Sequence, residues 1–309
     1  MRLSVVVAAF NMPRELPRTI LSLSPKMQRQ VDPADYEIII VDNGSDRPAD
    51  LSALTDQGIN LRVIEVPRSQ CSHSPVRVLN HAIREAQGEL VGVMIDGARM
   101  ASPGLLAGAL RADKLDDRAV IASLGFHLGP KVQMASVHEG YDQVEEDRLL
   151  DGIGWTEDGY RLFDISVFAG SSQHGWFLPI SESNALFMRR PLWEELGGLD
   201  EQFVTPGGGL ANLDMFSRAV QLPRSQVVTL MGEGTFHQVH GGVATNALES
   251  IHHLFFEEYE LVRGAPYTGP SYQSLYLGIV PGPSLAFVAQ SAQTAQARAQ
   301  GFWSTGAAC

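Results

Sequence analysis

The first hundred residues contain short apolar runs that are too continuous for half-buried strands and too short for buried helices. Such runs are typical of strands that are buried on both faces of a parallel sheet. They predict strands at Ser4–Phe10, at Tyr36–Asp42 and within Glu89–Arg99. A fourth run, Leu61–Val66, alternates more between apolar and polar residues, so we expect it nearer an edge of the sheet.

Two helices are predicted between these strands. Glu15–Ser24 and Pro75–Gln87 carry apolar residues at helical spacing. The order strand, helix, strand, strand, helix, strand is that of a parallel sheet with crossover helices. We therefore predict an α/β fold with a mostly parallel central sheet flanked by helices.

The end of the chain has a different pattern. Leu248–Arg263 predicts a helix, Ala265–Pro283 is rich in Pro, Gly and Tyr and is expected to be extended, and Ala286–Cys309 can form a tail helix or be disordered. These patterns predict one domain at residues 1–245. They also predict a helical and extended appendage at residues 246–309 that packs on the domain or trails it.

Composition narrows the classes of function. The formal net charge of -12 argues against a general nucleic-acid binder, because contact with phosphates needs a basic surface. The two cysteines, Cys71 and Cys309, are too few for a disulfide framework. No apolar run has the length of a membrane span, and no cleavage site follows the apolar N-terminus. We expect a cytoplasmic protein.

Two of the predicted strands run into an aspartate. Asp42 ends one strand and Asp96 ends another, with turn-forming residues after each. Parallel strands bring their carboxyl ends to one edge of the sheet, where open α/β sheets bind ligands. We therefore expect the two carboxylates to face one cleft from adjacent strand tips, although each can also simply end a strand. Neither a G-x-G-x-x-G nor a G-x-x-x-x-G-K-[ST] motif is present, so a dinucleotide site or P-loop is unsupported.

Three segments in order resemble the N-terminal half of a family 2 glycosyltransferase with the GT-A fold. They are SVVVAAFN, EIIIVDNGSD and RVLNHAIREAQGELVGVMID, and Glu182–Phe203 resembles a second conserved block of that family. The resemblance implies a GT-A-like fold and transfer of a sugar from a nucleotide-diphosphate sugar, linked to UDP, GDP or dTDP. The acceptor is then a hydroxyl of a glycan or small molecule, and inversion by direct displacement is the family expectation.

The same resemblance implies which residues bind the nucleotide sugar. Asp42 would accept a hydrogen bond from a pyrimidine N–H or a ribose hydroxyl, and the Phe10 ring would wall the same slot. Arg77 would pair with phosphate, or it is an ordinary solvated arginine on a helix. The full set is Ala8, Ala9, Phe10, Asn11, Asp42, Asn43, Arg77, Asp96 and Gly97.

The chain departs from the family pattern where a metal would bind. The D-x-D motif is here Asp96-Gly97-Ala98, so the second carboxylate is missing. Divalent cations prefer oxygen ligands, and one carboxylate is a thin set. His237 and His240 can complete it, since GT-A enzymes often bring a C-terminal histidine to the metal and imidazole suits Mn²⁺. We predict Mn²⁺ or Mg²⁺ at Asp96, His237 and His240, while solvated or backbone-bonded histidines are the alternative.

A second departure affects the catalytic base. Asn212 stands where the family usually has the carboxylate that deprotonates the acceptor, and an amide cannot take a proton at neutral pH. Asp214 is the first candidate to replace it, and one of the C-terminal histidines or a phosphate oxygen of the donor are the others. An ion pair with Arg218 on the same helix would explain Asp214 equally well. The alternative is a catalytically silent domain that binds nucleotide sugar or glycan without turnover.

Two regions allow more than one interpretation. The aromatic residues of the segment 125–175 and beyond can line an acceptor pocket or pack under an insertion; they are Trp155, Phe163, Phe168 and Trp176. Gly207–Gly209 can be a mobile loop over the site or a flexible surface loop. A nucleotidyltransferase shares the expected topology, but no basic glycine-rich loop follows the first strand.

Overall fold

The computed structural model describes residues 1–241 and 251–304, without the side chains of residues 55, 56 and 302–304. Its strands are β1 Leu3–Ala9, β2 Tyr36–Asp42, β3 Leu61–Glu65, β4 Leu90–Met94, β5 Arg99–Ala101, β6 Ala119–Leu128, β7 Ser166–Phe168, β8 Ala185–Arg189, β9 Gln226–His237 and β10 Ser274–Gly278. Its α-helices are α1 Glu15–Ser22, α2 Val76–Glu85, α3 Leu105–Ala112, α4 Gln133–His138, α5 Gln143–Ile153, α6 Arg190–Leu196, α7 Ala211–Val220, α8 His252–Arg263 and α9 Leu285–Ser304.

The strands of the described residues form one sheet in the order β10-β9-β6-β8-β4-β1-β2-β3. The β1, β2, β3 and β4 pairings are parallel, as are those of β6, β9 and β10, and β8 runs antiparallel between β4 and β6. Short strands β5 and β7 pair with β9 and β6. This confirms the predicted α/β class with a mostly parallel sheet, and β3 lies at the edge as expected.

The continuous apolar runs reflect burial on both faces of the sheet. In β1, Val6 packs into the core on one face, while Val5 and Val7 pack into the core on the other, and all three are fully buried. Each buried aliphatic side chain contributes about 1.5–3 kcal/mol. A strand in the middle of the sheet therefore gains from apolar residues at every position, which removes the alternation seen in β3.

The run Glu89–Arg99 contains β4 and ends on the first residue of a second strand, β5. After β4 the chain turns at Asp96, whose Oδ1 accepts a hydrogen bond from the Ala98 backbone N–H at 2.9 Å. It then crosses to β5, where Arg99 is paired antiparallel with His237 of β9. This crossing brings the end of β9 next to the tip of β4, which fixes the position of the site described below.

One detail of the predicted cleft is wrong. Asp42 and Asp96 do not follow adjacent strands, because β1 lies between β2 and β4 in the sheet. All three strands run parallel, so their carboxyl ends still share one edge. The two aspartates therefore flank the end of β1, and residues 8–11 lie between them.

The end of the chain continues the same sheet. The predicted helix at Leu248–Arg263 is α8 from His252, and its first residues lie outside those described. The extended segment Ala265–Pro283 includes β10, which pairs in parallel with β9. Of the two interpretations for Ala286–Cys309, the helix is found as far as residue 304. The division of the chain at residue 245 stays a prediction.

The aromatic residues that sequence left open pack into the core. The Phe126 ring of β6 lies 5.0 Å from Phe163, 5.2 Å from Phe168 and 6.0 Å from Trp176, measured between ring centroids. The side chains of Phe163, Phe168, Trp176 and Trp155 are at most 7% exposed. Such a cluster is worth more than its buried area alone because of the edge and stacking contacts. These residues support the sheet rather than line an acceptor pocket.

Candidate functional site

Three predicted metal ligands converge at the carboxyl edge of the sheet. Asp96 Oδ2 lies 2.9 Å from His237 Nε2 and 3.3 Å from His240 Nε2. The two histidine Nε2 atoms are 3.2 Å apart. One ligand atom from each residue lies within 4.8 Å of the others, so the three can share one ion.

The ring of His237 is oriented by Gln133 at the start of α4. The Nδ1–H of His237 donates to Gln133 Oε1, which leaves the lone pair of Nε2 facing Asp96. Hydrogen-bonding the second nitrogen is how proteins fix a ligating histidine. Burial and the nearby Arg99 guanidinium lower the pKa of His237 to about 4, so its imidazole is neutral at pH 7. A positive charge between this lone pair and the Asp96 carboxylate would be stabilised by both.

The pKa shifts of Asp96 and His240 agree with a positive charge at this position. Burial by itself would raise the pKa of Asp96, but the two histidines hold it well below the ordinary value. Burial by itself would lower the pKa of His240, but the Asp96 carboxylate outweighs it and the pKa is raised. A proton on His240 or a divalent cation can supply the positive charge that Asp96 attracts.

The segment that carries His240 is held by backbone contacts. The Gln238 backbone N–H donates to the Ala98 carbonyl oxygen at 2.8 Å, and its side chain donates to the Glu15 carbonyl oxygen at 3.1 Å. The Val239 N–H donates to Glu146 Oε2 at 2.9 Å, where Glu146 is fully buried in α5. These bonds position His240 through α1, α5 and the turn after β4.

The tips of β1 and β2 form a second part of the site. The Asn43 N–H donates to the Ala9 carbonyl oxygen at 2.9 Å, and the Ser45 N–H donates to Asp42 Oδ1 at 2.7 Å. Asn11 adopts a left-handed φ of 52° and its Oδ1 accepts from the Asp46 N–H. Among the described residues, no group donates to Asp42 Oδ2, so this oxygen is available to a ligand.

The side chains around Asp42 differ in their exposure. The Phe10 ring is 47% exposed beside this tip, which is unusual for a large apolar side chain and leaves a face free for stacking. Ala8, Ala9 and Asn43 are at most 5% exposed. Asn43 Nδ2 donates to the Ser72 carbonyl oxygen at 2.7 Å, so this side chain supports the slot.

Two predicted binding residues have other surroundings than expected. A side chain at Gly97 would place its Cβ 2.6 Å from the Ala8 carbonyl oxygen and 3.1 Å from Met12 Sδ. The close approach that Gly97 permits is therefore with β1 and α1, not with a ligand. The Arg77 side chain is 76% exposed on α2, and its Nε lies 3.7 Å from Glu201 Oε2. Its surroundings favour the ordinary surface arginine.

The predicted catalytic residues lie on different faces of α7. Asp214 is 1% exposed, and its carboxylate accepts from Arg218 Nε at 2.8 Å and from Arg263 Nε at 2.6 Å. Both of its oxygens are thus engaged by guanidiniums inside the protein, so neither is open to an acceptor hydroxyl. Asp214 as the base is therefore not supported by its surroundings, and the ion-pair interpretation has the observed contacts.

A carboxylate that the sequence analysis missed lies beside Asn212. Asn212 Nδ2 donates to Glu182 Oε2 at 2.6 Å. Glu182 is partly buried in the segment before β8, and β8 pairs with β4 so that Ala185 lies opposite Met94. Glu182 is therefore at the same sheet edge as Asp96. It is carried by a loop, so no periodic pattern marked it in the sequence.

Comparison with known sequences gives a family. The profile described as "Glycosyl transferase family 2" matches residues 4–168, which is more than half of the chain. The second resembling block, Glu182–Phe203, lies beyond the matched residues. Among curated proteins, none matches the sequence. The matched range contains the tips of β1, β2 and β4 but neither histidine of the site.

Solved structures of S. aureus TarS have a similar fold. One TarS crystal structure gives a TM-score of 0.54 at 15% identity over 85% of this chain, and TarS 1-349 gives 0.55 at 14% over 85%. TarS 1-349 in complex with UDP-GlcNAc gives 0.52 at 15% over 85%. The chain spans 39%, 64% and 65% of these TarS chains. At this identity the likeness is one of fold, and it confirms the predicted GT-A-like class.

Proposed function

We propose that this chain, which belongs to glycosyl transferase family 2, moves a sugar from a nucleotide-diphosphate sugar to a hydroxyl acceptor. The observation that carries this proposal is the meeting of Asp96, His237 and His240 at the same sheet edge as Asp42. TarS 1-349, which has a similar fold, was crystallised with UDP-GlcNAc. That complex supports a nucleotide sugar as the donor.

The nucleotide occupies the slot at the tips of β1 and β2. Asp42 Oδ2 accepts a hydrogen bond from the base or the ribose, and the exposed Phe10 ring contacts the base. Residues 8–11 and Asn43 form the wall between them through the bonds that tie β1 to β2. The diphosphate then extends past the end of β1 toward Asp96.

The residues at Asp96 suit Mn²⁺ better than Mg²⁺. Two neutral imidazole nitrogens and one carboxylate are acceptable to Mn²⁺, whereas Mg²⁺ demands oxygen ligands. The orienting bond from His237 to Gln133 is the second-shell contact that such sites use. When bound, the ion would neutralise charge on the departing diphosphate. Asp96, His237 and His240 would hold it.

Glu182 takes the proton of the acceptor. As the acceptor oxygen bonds to the anomeric carbon, its proton passes to Glu182, and the bond from that carbon to the diphosphate oxygen breaks with its electron pair on the diphosphate. Asn212 donates the 2.6 Å hydrogen bond to Glu182 Oε2. The residue that stands in place of the family carboxylate therefore positions the carboxylate that takes over its role. Of the described residues, none donates to Glu182 Oε1, which leaves that oxygen for the acceptor.

The alternative is a silent domain that binds nucleotide sugar or glycan without turnover. Ala98 and Asn212 favour it, because each replaces a carboxylate of the family pattern. Glu182 beside Asn212 and the two histidines beside Asp96 favour the enzyme, since each supplies the chemistry that the substitution removed. A silent domain has no need of a replacement base.

A binding screen followed by a turnover assay tests the proposal. UDP-, GDP- and dTDP-sugars are screened by thermal shift with Mn²⁺ and with EDTA, and the donors that bind are tested for release of nucleoside diphosphate with hydroxylated acceptors and with water. Binding with release supports the enzyme. Binding with no release under any condition favours the silent domain, and no binding contradicts both.

We expect Asp96→Ala to abolish the part of the nucleotide affinity that depends on Mn²⁺. Loss of an outer-shell partner alone weakens metal binding by about 10–100-fold, so loss of a ligand should cost at least as much. Calorimetry of UDP with Mn²⁺ and with EDTA measures it. The matched control is Asp151→Ala on the exposed face of α5.

Equal affinity of the wild type for UDP in the two conditions would contradict this prediction. If the wild-type protein binds UDP equally well with Mn²⁺ and with EDTA, the site is metal-free and the histidines have another role.

Among the helices of the described residues, none combines the length and the hydropathy of a membrane span. The cytoplasmic location expected from the sequence stays a prediction, as does the class of acceptor.

A further inference from the structure

Arg99 is a buried arginine whose guanidinium makes no hydrogen bond to any described residue. The residue is 9% exposed, and its Nε and Nη1 atoms are buried without a partner. It follows Asp96 by three positions and begins β5, where it is paired with His237. A charged donor left unpaired inside a protein is costly, because it loses its water and gains nothing in return.

The nearest carboxylates do not satisfy Arg99. Asp96 and Glu182 attract it through space, but neither accepts a hydrogen bond from it. Asp96 Oδ1 already accepts from the Ala98 N–H and its Oδ2 faces the two histidines, while Glu182 Oε2 accepts from Asn212. Arg99 therefore lies between the metal ligands and the proposed base with its donors free.

A second unpartnered donor lies close to Arg99. Asn184 is 2% exposed, and its Nδ2 has no acceptor among the described residues. A Cβ built on Gly125 would lie 3.0 Å from Asn184 Nδ2 and 3.9 Å from Arg99 Nη1. Both nitrogens thus lie beside Gly125, where even a Cβ would be in tight contact with Asn184 Nδ2, so the glycine allows the two donors to approach each other.

We propose that Arg99 and Asn184 bind an oxyanion of the donor, beside the metal ligands; this rests on the proposed function. The unpaired nitrogens of Arg99 and Asn184 are N–H donors, and a phosphate or carboxylate oxygen is the acceptor that such donors fit. The position between Asp96 and Glu182 is that of the reacting end of the donor. The oxyanion is either a phosphate of the diphosphate or a carboxylate on the transferred sugar.

The charge of the site supports this assignment. The family pattern has a second carboxylate two positions after Asp96, and here Ala98 stands there with a cation one position further on. Loss of that carboxylate makes the site more positive than the D-x-D arrangement, and the Arg99 guanidinium adds to the positive charge. A more positive site favours a more anionic substrate, and it lowers the dependence on the metal ion for holding that charge.

The test compares Arg99→Met with the wild-type protein by calorimetry, with Mn²⁺ and with EDTA. The probes are UDP, UDP-glucose, UDP-glucuronate and inorganic pyrophosphate. Charge-assisted hydrogen bonds are worth about 1.5–3 kcal/mol, so the variant should lose about 10- to 100-fold in affinity for the probe that uses Arg99. Arg84→Met on the exposed face of α2 is the control and should bind as the wild type does.

The probes separate the two sources of the oxyanion. A phosphate source predicts the same loss for UDP, both UDP-sugars and pyrophosphate. A carboxylate source predicts that the wild type binds UDP-glucuronate more tightly than UDP-glucose and that Arg99→Met removes the difference. Binding of all four probes within about twofold of the wild type in both metal conditions overturns the proposal and leaves the proposed function intact.

Two further measurements separate a loss of binding from a loss of stability. Arg99→Met should be at least as stable as the wild type, because it removes an unpaired buried charge. A clear loss of thermal stability would show that Arg99 is bonded within the protein, which overturns the proposal. If no nucleotide binds the wild type, the proposed function fails, and the pyrophosphate titration alone then decides for or against the oxyanion site. Gly125→Ala should weaken binding of the same probes, because the new Cβ would lie 3.0 Å from Asn184 Nδ2 and displace it while leaving Arg99 in place.

Discussion

Replacing Glu182 by glutamine should lower the kcat of sugar transfer by about 10²–10⁴-fold, which is the usual contribution of a general base. Glutamine keeps the size of the side chain and can still accept the hydrogen bond from Asn212 Nδ2, so the fold and the KM for the donor should change little. What the variant loses is the ability to take the acceptor's proton. The effect should therefore fall on kcat at donor saturation.

The measurement is the release of nucleoside diphosphate as a function of pH for both proteins. The loss should be found at every pH at which the wild type turns over, because the amide cannot take a proton at any of them. The control is Glu194→Gln on the exposed face of α6, which should leave the profile unchanged. Full kcat in Glu182→Gln across this pH range would exclude Glu182 as the base.

The companion variant is Asn212→Asp, which restores the carboxylate of the family pattern. An aspartate there would lie within hydrogen-bond distance of Glu182, and two carboxylates so close cannot both ionise freely. The substitution should therefore lower kcat rather than add activity. If it creates activity where the wild type has none, the wild-type chain is the silent domain.

The sheet could be predicted because burial on two faces leaves a direct mark in the sequence. β1, β2 and β4 are apolar at nearly every position, and β2 was bounded correctly at both ends. The strand β5 could not be predicted, because its three residues Arg99–Ala101 are too few to show a pattern. The consequence is that pairing of β5 with β9, which brings His237 to Asp96, appears only in the structure.

The residues of the candidate site that belong to a sequence motif were predicted, and those outside any motif were missed. Asp96, His237 and His240 were chosen from a family pattern and from histidine spacing, and they meet. Glu182 and Arg99 were missed for a physical reason. Glu182 contacts Asn212, and Arg99 lies near Asn184, so each is recognised only through a neighbour distant in sequence. Neither residue belongs to a periodic pattern. An unpaired buried donor such as Arg99 is visible only once burial is known.

Asp214→Asn should lower the free energy of unfolding by about 3 kcal/mol, and should change kcat by no more than a few-fold. Removing one partner of a buried ion pair typically costs about 3–5 kcal/mol, because the other charge is left unpaired. The lower end applies here, since Arg218 and Arg263 remain 26% and 27% exposed and keep some contact with water. Urea unfolding measures the change.

The control for this variant is Asp113→Asn. Asp113 pairs with Arg189, but Asp113 is 18% exposed and Arg189 is 37% exposed. Exposed pairs contribute about 0–1 kcal/mol, so this variant should be much closer to the wild type. The comparison separates loss of a buried network from loss of any aspartate–arginine pair.

The geometry of α7 explains why Asp214 is expected to act on stability alone. Two positions on an α-helix rotate a side chain by about 200°, so Asp214 and Asn212 cannot both face one cleft. Asn212 contacts Glu182, while Asp214 contacts Arg263 of α8 on the other side of the helix. A large loss of kcat in a fully stable Asp214→Asn protein would mean that α7 turns on binding substrate. In that case the acceptor's proton goes to Asp214, and Glu182 serves only to hold Asn212.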